Sequence, residues 1–171
     1  MAHRVVWAPM TDPAKTFLQL AGSLDYPLFI VTVTDGERQE GCLIGFATQT
    51  SFDPARFLAC LSRANRTFRF AQDVDALAVH LVPRDAIELV ELFGGETGDE
   101  VDKFEHCAWS PGPRGLPILD DCPSWLAGEI RARHDLGDHM GFLLEPFEAR
   151  YEPGDVVYFQ RVKDVDPGHP A

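Results

Sequence analysis

A short polar segment, Ser62-Arg63-Ala64-Asn65-Arg66-Thr67, has the residue types needed to bind a phosphate group. It offers two hydroxyls, one amide and two guanidinium groups directly after a predicted strand. A bend at this point can direct several donors at one anion, and arginine adds charge-assisted hydrogen bonds. The alternative is a solvated turn with a helix N-cap, and the residues alone leave both interpretations open.

A second polar run, Thr48-Gln49-Thr50-Ser51, stands between the apolar stretch Gly45-Phe46-Ala47 and Phe52. Small hydroxyl and amide side chains at the end of a strand can hydrogen-bond to the polar edge of a flat ring. The alternative is an edge strand with an exposed polar face.

The third candidate is His139 in the turn Gly137-Asp138-His139. A histidine between two strands can donate a proton, ligate a metal or offer a stacking surface, although it can equally be an ordinary surface residue. His134, His139, Asp135 and Asp138 match no standard ligand spacing, so we predict no metal site.

Other cofactor and nucleophile patterns are missing from the sequence. It contains no Gly-x-Gly-x-x-Gly and no Walker loop, which excludes the usual Rossmann and P-loop phosphate sites. The cysteines are widely spaced with no Cys-x-x-Cys pair, so we expect free thiols that fill the core. They are Cys42, Cys60, Cys107 and Cys122.

Composition limits the function classes. The chain has 171 residues, 45% of them hydrophobic, and a formal net charge of −12. Such a charge argues against binding to nucleic acid or to anionic lipid. We found no apolar run long enough for a membrane span or a secretory signal, and we therefore expect a cytoplasmic protein.

The elements that must position these residues are mostly short strands. Asp12 as N-cap, Pro13 in the first turn and Gly22 as the stop predict a short helix. A second helix is predicted over 85–93, with Asp85 and Glu88 as a capping box and a long loop after it over 94–115. Strands are predicted over 28–34, 41–50, 57–61, 76–82, 116–119, 125–133, 140–151 and 156–160, with hairpin or turn signals at Asp35-Gly36 and Asp53-Pro54.

This order favours a mainly β fold, an antiparallel sheet closed into a barrel. We expect an N-terminal arm and helix over 1–22, one barrel domain over 23–163 and a flexible tail over 164–171.

Five motifs standing in order carry a family resemblance that runs from Pro27 to Tyr151. They are Gly41–Pro54, Ser62–Thr67, Asp102-Lys103-Phe104, Gly115-Leu116-Pro117-Ile118-Leu119 and Gly137-Asp138-His139. Together they resemble the flavin reductase-like, FMN-binding split-barrel family, which implies a Greek-key, mostly antiparallel barrel with a few short helices.

The resemblance also implies a homodimer that binds FMN, or FAD, near the subunit interface. The flavin ring would lie against Thr48, Gln49, Thr50 and Ser51, and the phosphate on Ser62, Arg63, Asn65 and Thr67. Lys103 and Phe104 would help close the pocket, and His139 would lie beside the flavin and the nicotinamide of NAD(P)H. The implied reaction is hydride transfer from NAD(P)H to flavin, which can supply reduced flavin to a partner monooxygenase.

Two rival functions stay open at this point. One is a non-catalytic module that binds flavin or haem. The other is a reductase that uses a deazaflavin in place of FMN. We rank it below the FMN enzyme because the longer acidic tail of a deazaflavin would need more basic residues nearby than Arg63 and Arg66.

The sequence departs from the family at a few positions. Gly45 and Gln49 stand where serine is common, and Ala55 stands where a second proline is common. The acidic loop 94–100 is longer than expected and is a candidate lid.

Overall fold

The computed structural model of the protein describes residues 12–164. The predicted N-terminal arm before Asp12 and the tail after Asp164 lie outside this range. The four α-helices of this range are α1 (Pro13–Gly22), α2 (Arg66–Ala71), α3 (Ile87–Val90) and α4 (Phe159–Val162). The nine strands of the described range are β1 (Phe29–Thr34), β2 (Gln39–Ile44), β3 (Ala47–Phe52), β4 (Ala55–Ser62), β5 (Ala76–Leu81), β6 (Trp109–Pro111), β7 (Pro117–Leu119), β8 (Ser124–Asp135) and β9 (His139–Arg150).

Seven strands form one antiparallel sheet in the order β2-β1-β5-β8-β9-β4-β3, and β6 pairs with β7 in a separate ribbon. The two edge strands, β2 and β3, follow each other along the chain with only Gly45 and Phe46 between them. The sheet therefore curls so that its two edges meet, which is the geometry of a barrel.

Several local predictions are confirmed. Helix α1 begins after Asp12, whose side chain accepts a hydrogen bond from the backbone N–H of Lys15. At the β1–β2 hairpin the Asp35 carboxylate accepts hydrogen bonds from Arg38 N and Glu37 N, which lower the pKa of this carboxyl. Gly36 completes the turn with a φ of 96°.

The predicted strand over 41–50 is wrong, because the chain bends at Gly45-Phe46 and continues as a second strand. The carbonyl of Phe46 accepts a hydrogen bond from Cys60 N at 2.9 Å, which ties the bend to β4. The predicted single strand therefore forms parts of β2 and β3, the two edge strands of the sheet.

Two further predictions are corrected. Helix α3 begins later than expected, with Ala86 as its N-cap and without the Asp85–Glu88 capping box, and it continues as a π-helical turn over Glu91–Gly95. The segment 156–160 is not a strand: Val156 and Tyr158 form isolated bridges before α4. Gln160 explains the change, since its backbone N–H donates to Asp25 and its amide to backbone carbonyls at the end of α1.

Three apolar clusters hold the described part of the fold together, and the smallest joins Ala76, Ala78, Leu116 and Ala127. The barrel core packs residues of β1, β2, β4, β5 and β9 with Phe68 of α2. An outer core packs α3 and its π-helical turn against Leu28, Phe104 and Val162. His80 lies fully buried, with Nδ1 3.1 Å from Ile30 O and Nε2 3.2 Å from Leu119 N, so it links β1, β5 and β7.

Of the helices within residues 12–164, none is long and apolar enough to cross a membrane.

Candidate functional site

A cavity of about 360 Å³ opens beside the bend between β2 and β3. Its wall is completed by the end of β4, the start of β9, the π-helical turn that follows α3, and helix α4. The lining residues are Tyr26, Leu28, Leu43, Ile44, Gly45, Phe46, Cys60, Ser62, Asn65, Val90, Gly94, His139, Phe159, Val162 and Lys163. Volume and mostly apolar lining are typical of a small-molecule site.

The structure brings Ser62, Asn65 and His139 together on this cavity. Ser62 and His139 are direct partners in the β4–β9 register. The imidazole of His139 lies 5.1 Å from the ring of Phe46, centroid to centroid, and its Nδ1 is 2.7 Å from an oxygen of Asp138. This hydrogen bond lowers the pKa of Asp138 and orients the imidazole.

The segment after β4 folds into the tight bend that its composition predicts. Asn65 N donates to Ser62 O at 3.0 Å, and Asn65 occupies the N-cap position of α2. Its side chain makes no capping hydrogen bond there, although the residue is only 9% exposed. The amide of Asn65 is therefore available to a ligand in the cavity rather than to the helix.

Arg63 and Thr67 do not line the cavity. Arg63 donates to Gly137 O at 2.9 Å and pairs with Asp135 at 3.0 Å, so its guanidinium holds the β8–β9 turn. Thr67 is buried beside Cys42 in the barrel, where burial raises the pKa of the Cys42 thiol to about 11. Their predicted phosphate contacts remain predictions.

The polar run 48–51 lies on edge strand β3, outside the cavity lining. Thr48, Gln49 and Thr50 are exposed, and Ser51 is half-buried. Gln49 Nε2 donates to Ser51 O at 3.2 Å, across the bulge that interrupts the pairing of β3 with β4. Their contact with a flavin ring stays a prediction.

Lys103 and Phe104 lie in the interior of the molecule. The Lys103 ammonium group, on a residue only 4% exposed, donates to Phe93 O at 3.1 Å and to Gly41 O at 3.4 Å. Burial lowers its pKa. Phe104 packs edge-on against Phe93. Both residues thus support the turn that carries Gly94 to the cavity wall, and their predicted role in closing the pocket is untested.

The acidic loop 94–100 is tied down by two arginines of α2. Arg66 pairs with Glu40 at 2.7 Å and donates to Gly98 O at 2.7 Å. Arg69 donates to both oxygens of Asp99, at 2.7 and 2.8 Å. The candidate lid is therefore fastened at Gly98-Asp99.

Comparison with known proteins decides the family. The family described as Flavin reductase like domain matches residues 21–165. The chain belongs to this family.

Curated proteins similar to this chain include an FMN reductase (NADH), RutF 2, from Rhizobium rhizogenes, which is 30% identical over 137 residues that cover 77% of each chain. A high molecular weight rubredoxin from Moorella thermoacetica is 27% identical over 82% of this chain, which spans 64% of that protein's length. The reductase subunit HsaB of a flavin-dependent monooxygenase from Rhodococcus jostii is 26% identical to this chain. The alignment covers 95% of this chain and 83% of HsaB.

The crystal structure of a flavin reductase domain protein from Arthrobacter sp. FB24 superposes with a TM-score of 0.76. The two sequences are 25% identical, and the superposition covers 85% of this chain and 89% of the Arthrobacter chain. The predicted flavin reductase family and its split-barrel fold are confirmed. The family description also supports the predicted enzyme class, a flavin oxidoreductase, and the relative from Rhizobium rhizogenes is named for FMN and NADH.

The cavity of this flavin reductase family member fits a flavin. Phe46, Leu43 and Ile44 offer an apolar bed for a flat ring, while Ser62 and Asn65 offer polar atoms at one end. The amide of Asn65 supports this fit, because it makes no capping hydrogen bond and, on a residue that lines the cavity, can donate to or accept from a ligand there.

The sequence motifs missed one wall of the cavity. Tyr26 and Phe159 stack 4.9 Å apart at an interplanar angle of 11°, and Phe159 N donates to Tyr26 O. Val162 and Lys163 extend this wall. Partial burial raises the pKa of Tyr26. The sequence signal for this wall was the aromatic residues at 26 and at 158–159. The sequence does not show that these two distant segments come into contact.

Proposed function

We propose that this protein is an NAD(P)H-dependent flavin reductase whose reaction takes place in the cavity beside Phe46 and His139. The carrying observation is that Ser62, Asn65 and His139, from motifs far apart in the sequence, converge on one cavity. A bound flavin would supply the hydride-accepting ring, as flavins do in general.

The chain's own residues would bind and orient the two ligands. The ring of Phe46 lies against His139, and both face the space where two flat rings must stack. With the His139 Nδ1 proton donated to Asp138, Nε2 can accept a hydrogen bond from the nicotinamide carboxamide. His139 would then position the nicotinamide, since proximity and orientation are what the protein contributes to hydride transfer.

Anaerobic titration tests this function. Purified protein is loaded with FMN or FAD and titrated with NADH and with NADPH while the visible flavin absorbance is followed. We expect stoichiometric bleaching by at least one of the two nucleotides. Flavin that binds but is not reduced by either would contradict the reductase and favour the non-catalytic binding module.

We also propose a homodimer. Helix α1 has no buried residue, and its exposed side chains include Phe17, Leu18 and Leu20. Phe52, at the tip of the β3–β4 hairpin, is 89% exposed. Apolar surface of this kind usually marks an interface, and a second copy covering the β3 edge would approach residues 48–51. Light scattering should give twice the monomer mass, and Leu18→Glu should lower it.

The partner we propose is a flavin-dependent monooxygenase that consumes the reduced flavin. This proposal is supported by the similarity to the reductase subunit from Rhodococcus jostii. A test is whether the protein, with NADH and free flavin, sustains hydroxylation by such an oxygenase. We place the protein in the cytoplasm, because free thiols and a pyridine nucleotide both suit a reducing compartment.

A further inference from the structure

Among the residues that the structure describes, none that lines the cavity carries a carboxylate, although the protein is strongly acidic. The chain has 27 Asp and Glu residues against 15 Lys and Arg, yet no acidic residue stands among the residues that line this cavity. Lys163 is the one lysine or arginine among them. An anion entering the cavity would therefore meet a local positive charge within a negative overall field.

Arg63, one of the residues expected to bind phosphate, and Arg66, the other arginine of the segment 62–67, are already engaged in ion pairs. Arg63 pairs with Asp135, and Arg66 pairs with Glu40. Each guanidinium also donates to a backbone carbonyl, Gly137 O and Gly98 O respectively. The charge of each guanidinium is therefore already shared with a protein carboxylate, and neither arginine lines the cavity.

Lys163 has no such competitor in the part of the chain that the structure describes. The ion pairs found over residues 12–164 do not include it. Its position is fixed, because Val162 before it is buried in the outer core and Gln160 is hydrogen-bonded to Asp25. These contacts fix the backbone at Lys163, whose exposed side chain lines the cavity and forms no ion pair with a carboxylate of residues 12–164.

We propose that Lys163 binds a phosphate group of the ligand in this cavity. The inference rests on the proposed function. Both a flavin phosphate and a phosphate of NAD(P)H have the required chemistry, a compact anion that an ammonium group binds as a point charge. The C-terminal wall of the cavity, which contains none of the family motifs, would then determine which phosphorylated ligand is preferred.

The test compares Lys163→Met with Lys163→Arg. Arg84→Met is the control, because Arg84 is an exposed cation that pairs with Asp155 and does not line the cavity. Fluorescence quenching gives Kd for FMN, FAD and riboflavin, which lacks the phosphate, and steady-state kinetics gives KM for NADH and NADPH.

If Lys163 binds the flavin phosphate, Lys163→Met raises Kd for FMN about tenfold and leaves riboflavin unchanged. If it binds the nucleotide, Lys163→Met raises KM for NADH, NADPH or both about tenfold, with flavin Kd values unchanged. In either case Lys163→Arg restores most of the affinity, and added salt reduces the difference from the wild type.

An equal loss for riboflavin and FMN, or no change for any phosphorylated ligand, would overturn the proposal. These outcomes differ from a failure of the proposed function, in which the wild-type protein would bind no flavin or leave it oxidised in the presence of both nucleotides.

Discussion

The ring of Tyr26 fills the space that a side chain at Gly45 would need. A β-carbon built on Gly45 would lie 2.5 Å from Cε2 of Tyr26, well inside van der Waals contact. The serine that is common at this position in the family is therefore incompatible with the Tyr26 ring as it lies here. Tyr26 and Gly45 depend on each other, and together they shape the floor of the cavity.

Replacement of Gly45 by Ser should destabilise the protein by about 1–3 kcal/mol, the usual cost of overfilling a packed site. The variant Tyr26→Ala in the same chain should recover part of that loss, because it removes the clashing ring. Gly154→Ser is the control, since a β-carbon at Gly154 meets nothing within 4 Å. Urea denaturation of the single and double variants measures the coupling, and strictly additive losses would contradict it.

His139→Ala should raise KM for NAD(P)H about tenfold while kcat falls less, because a positioning hydrogen bond contributes mainly to binding. His139→Asn retains a hydrogen-bonding side chain, so its KM for NAD(P)H should lie between those of His139→Ala and the wild type. His134→Ala, on an exposed position of β8, is the control. Unchanged kinetics in His139→Ala would remove this residue from the site.

The buried His80 should make the fold sensitive to acid. Burial lowers the pKa of His80 from 6.5 to about 4. Between these two values the unfolded chain binds a proton that the folded chain excludes, so stability is retained above pH 6.5 and lost as the pH falls toward 4. The loss from this residue should approach about 3 kcal/mol.

Urea denaturation at several pH values checks this, with His80→Leu as the comparison. The variant should be less stable at neutral pH, because the hydrogen bonds to Ile30 and Leu119 are lost. Its stability should then fall less steeply than that of the wild type between pH 6.5 and 4. Parallel curves for the two proteins would contradict the assignment.

The ion pair between Arg66 and Glu40 should matter more than surface pairs do. Glu40 is only 8% exposed, and its pKa is raised by burial, against which Arg66 and then Lys103 act. Arg66→Met should cost about 1–3 kcal/mol at neutral pH, since it leaves the Glu40 carboxylate without its guanidinium partner. The cost should shrink in acid, where Glu40 becomes protonated.

Glu40→Gln added to Arg66→Met should recover much of this stability. Arg84→Met is the matched control, because the pair of Arg84 with Asp155 is 3.7 Å long and solvent-exposed. Limited proteolysis should also cut loop 94–100 faster in Arg66→Met than in the wild type. Equal losses of stability in Arg66→Met and Arg84→Met would contradict this prediction, because burial would then not strengthen the contribution of the Arg66–Glu40 ion pair.

The sequence predicted those elements whose determinants are local. Asp12-Pro13 and Gly22 define α1, and Asp35-Gly36 defines the first hairpin, in each case through neighbouring residues. The bend at Gly45 was missed because an unbroken apolar run does not reveal where a sheet turns its edge. The segment 156–160 was misassigned because its conformation depends on Asp25 and the end of α1, distant in the sequence.

The same distinction applies to the site. Ser62, Asn65 and His139 were found because each lies in a compact motif that recurs in the family. Lys103 also belongs to such a motif, but the structure uses its ammonium group to join two backbone carbonyls in the interior. Tyr26 and Lys163 were missed because only the folded chain brings residue 26 and residues 159–163 to one wall.

That wall has a consequence for how the protein acquires its activity. Because residues 26–28 must wait for residues 159–163, a nascent chain on the ribosome can pair β1 with β2 and β5 long before the cavity exists. The wall of the cavity is completed by residues 159–163, which follow every strand of the sheet along the chain. Under the proposed function, flavin binding therefore requires synthesis through residue 163, and a chain terminated before Phe159 should fold in part yet remain colourless.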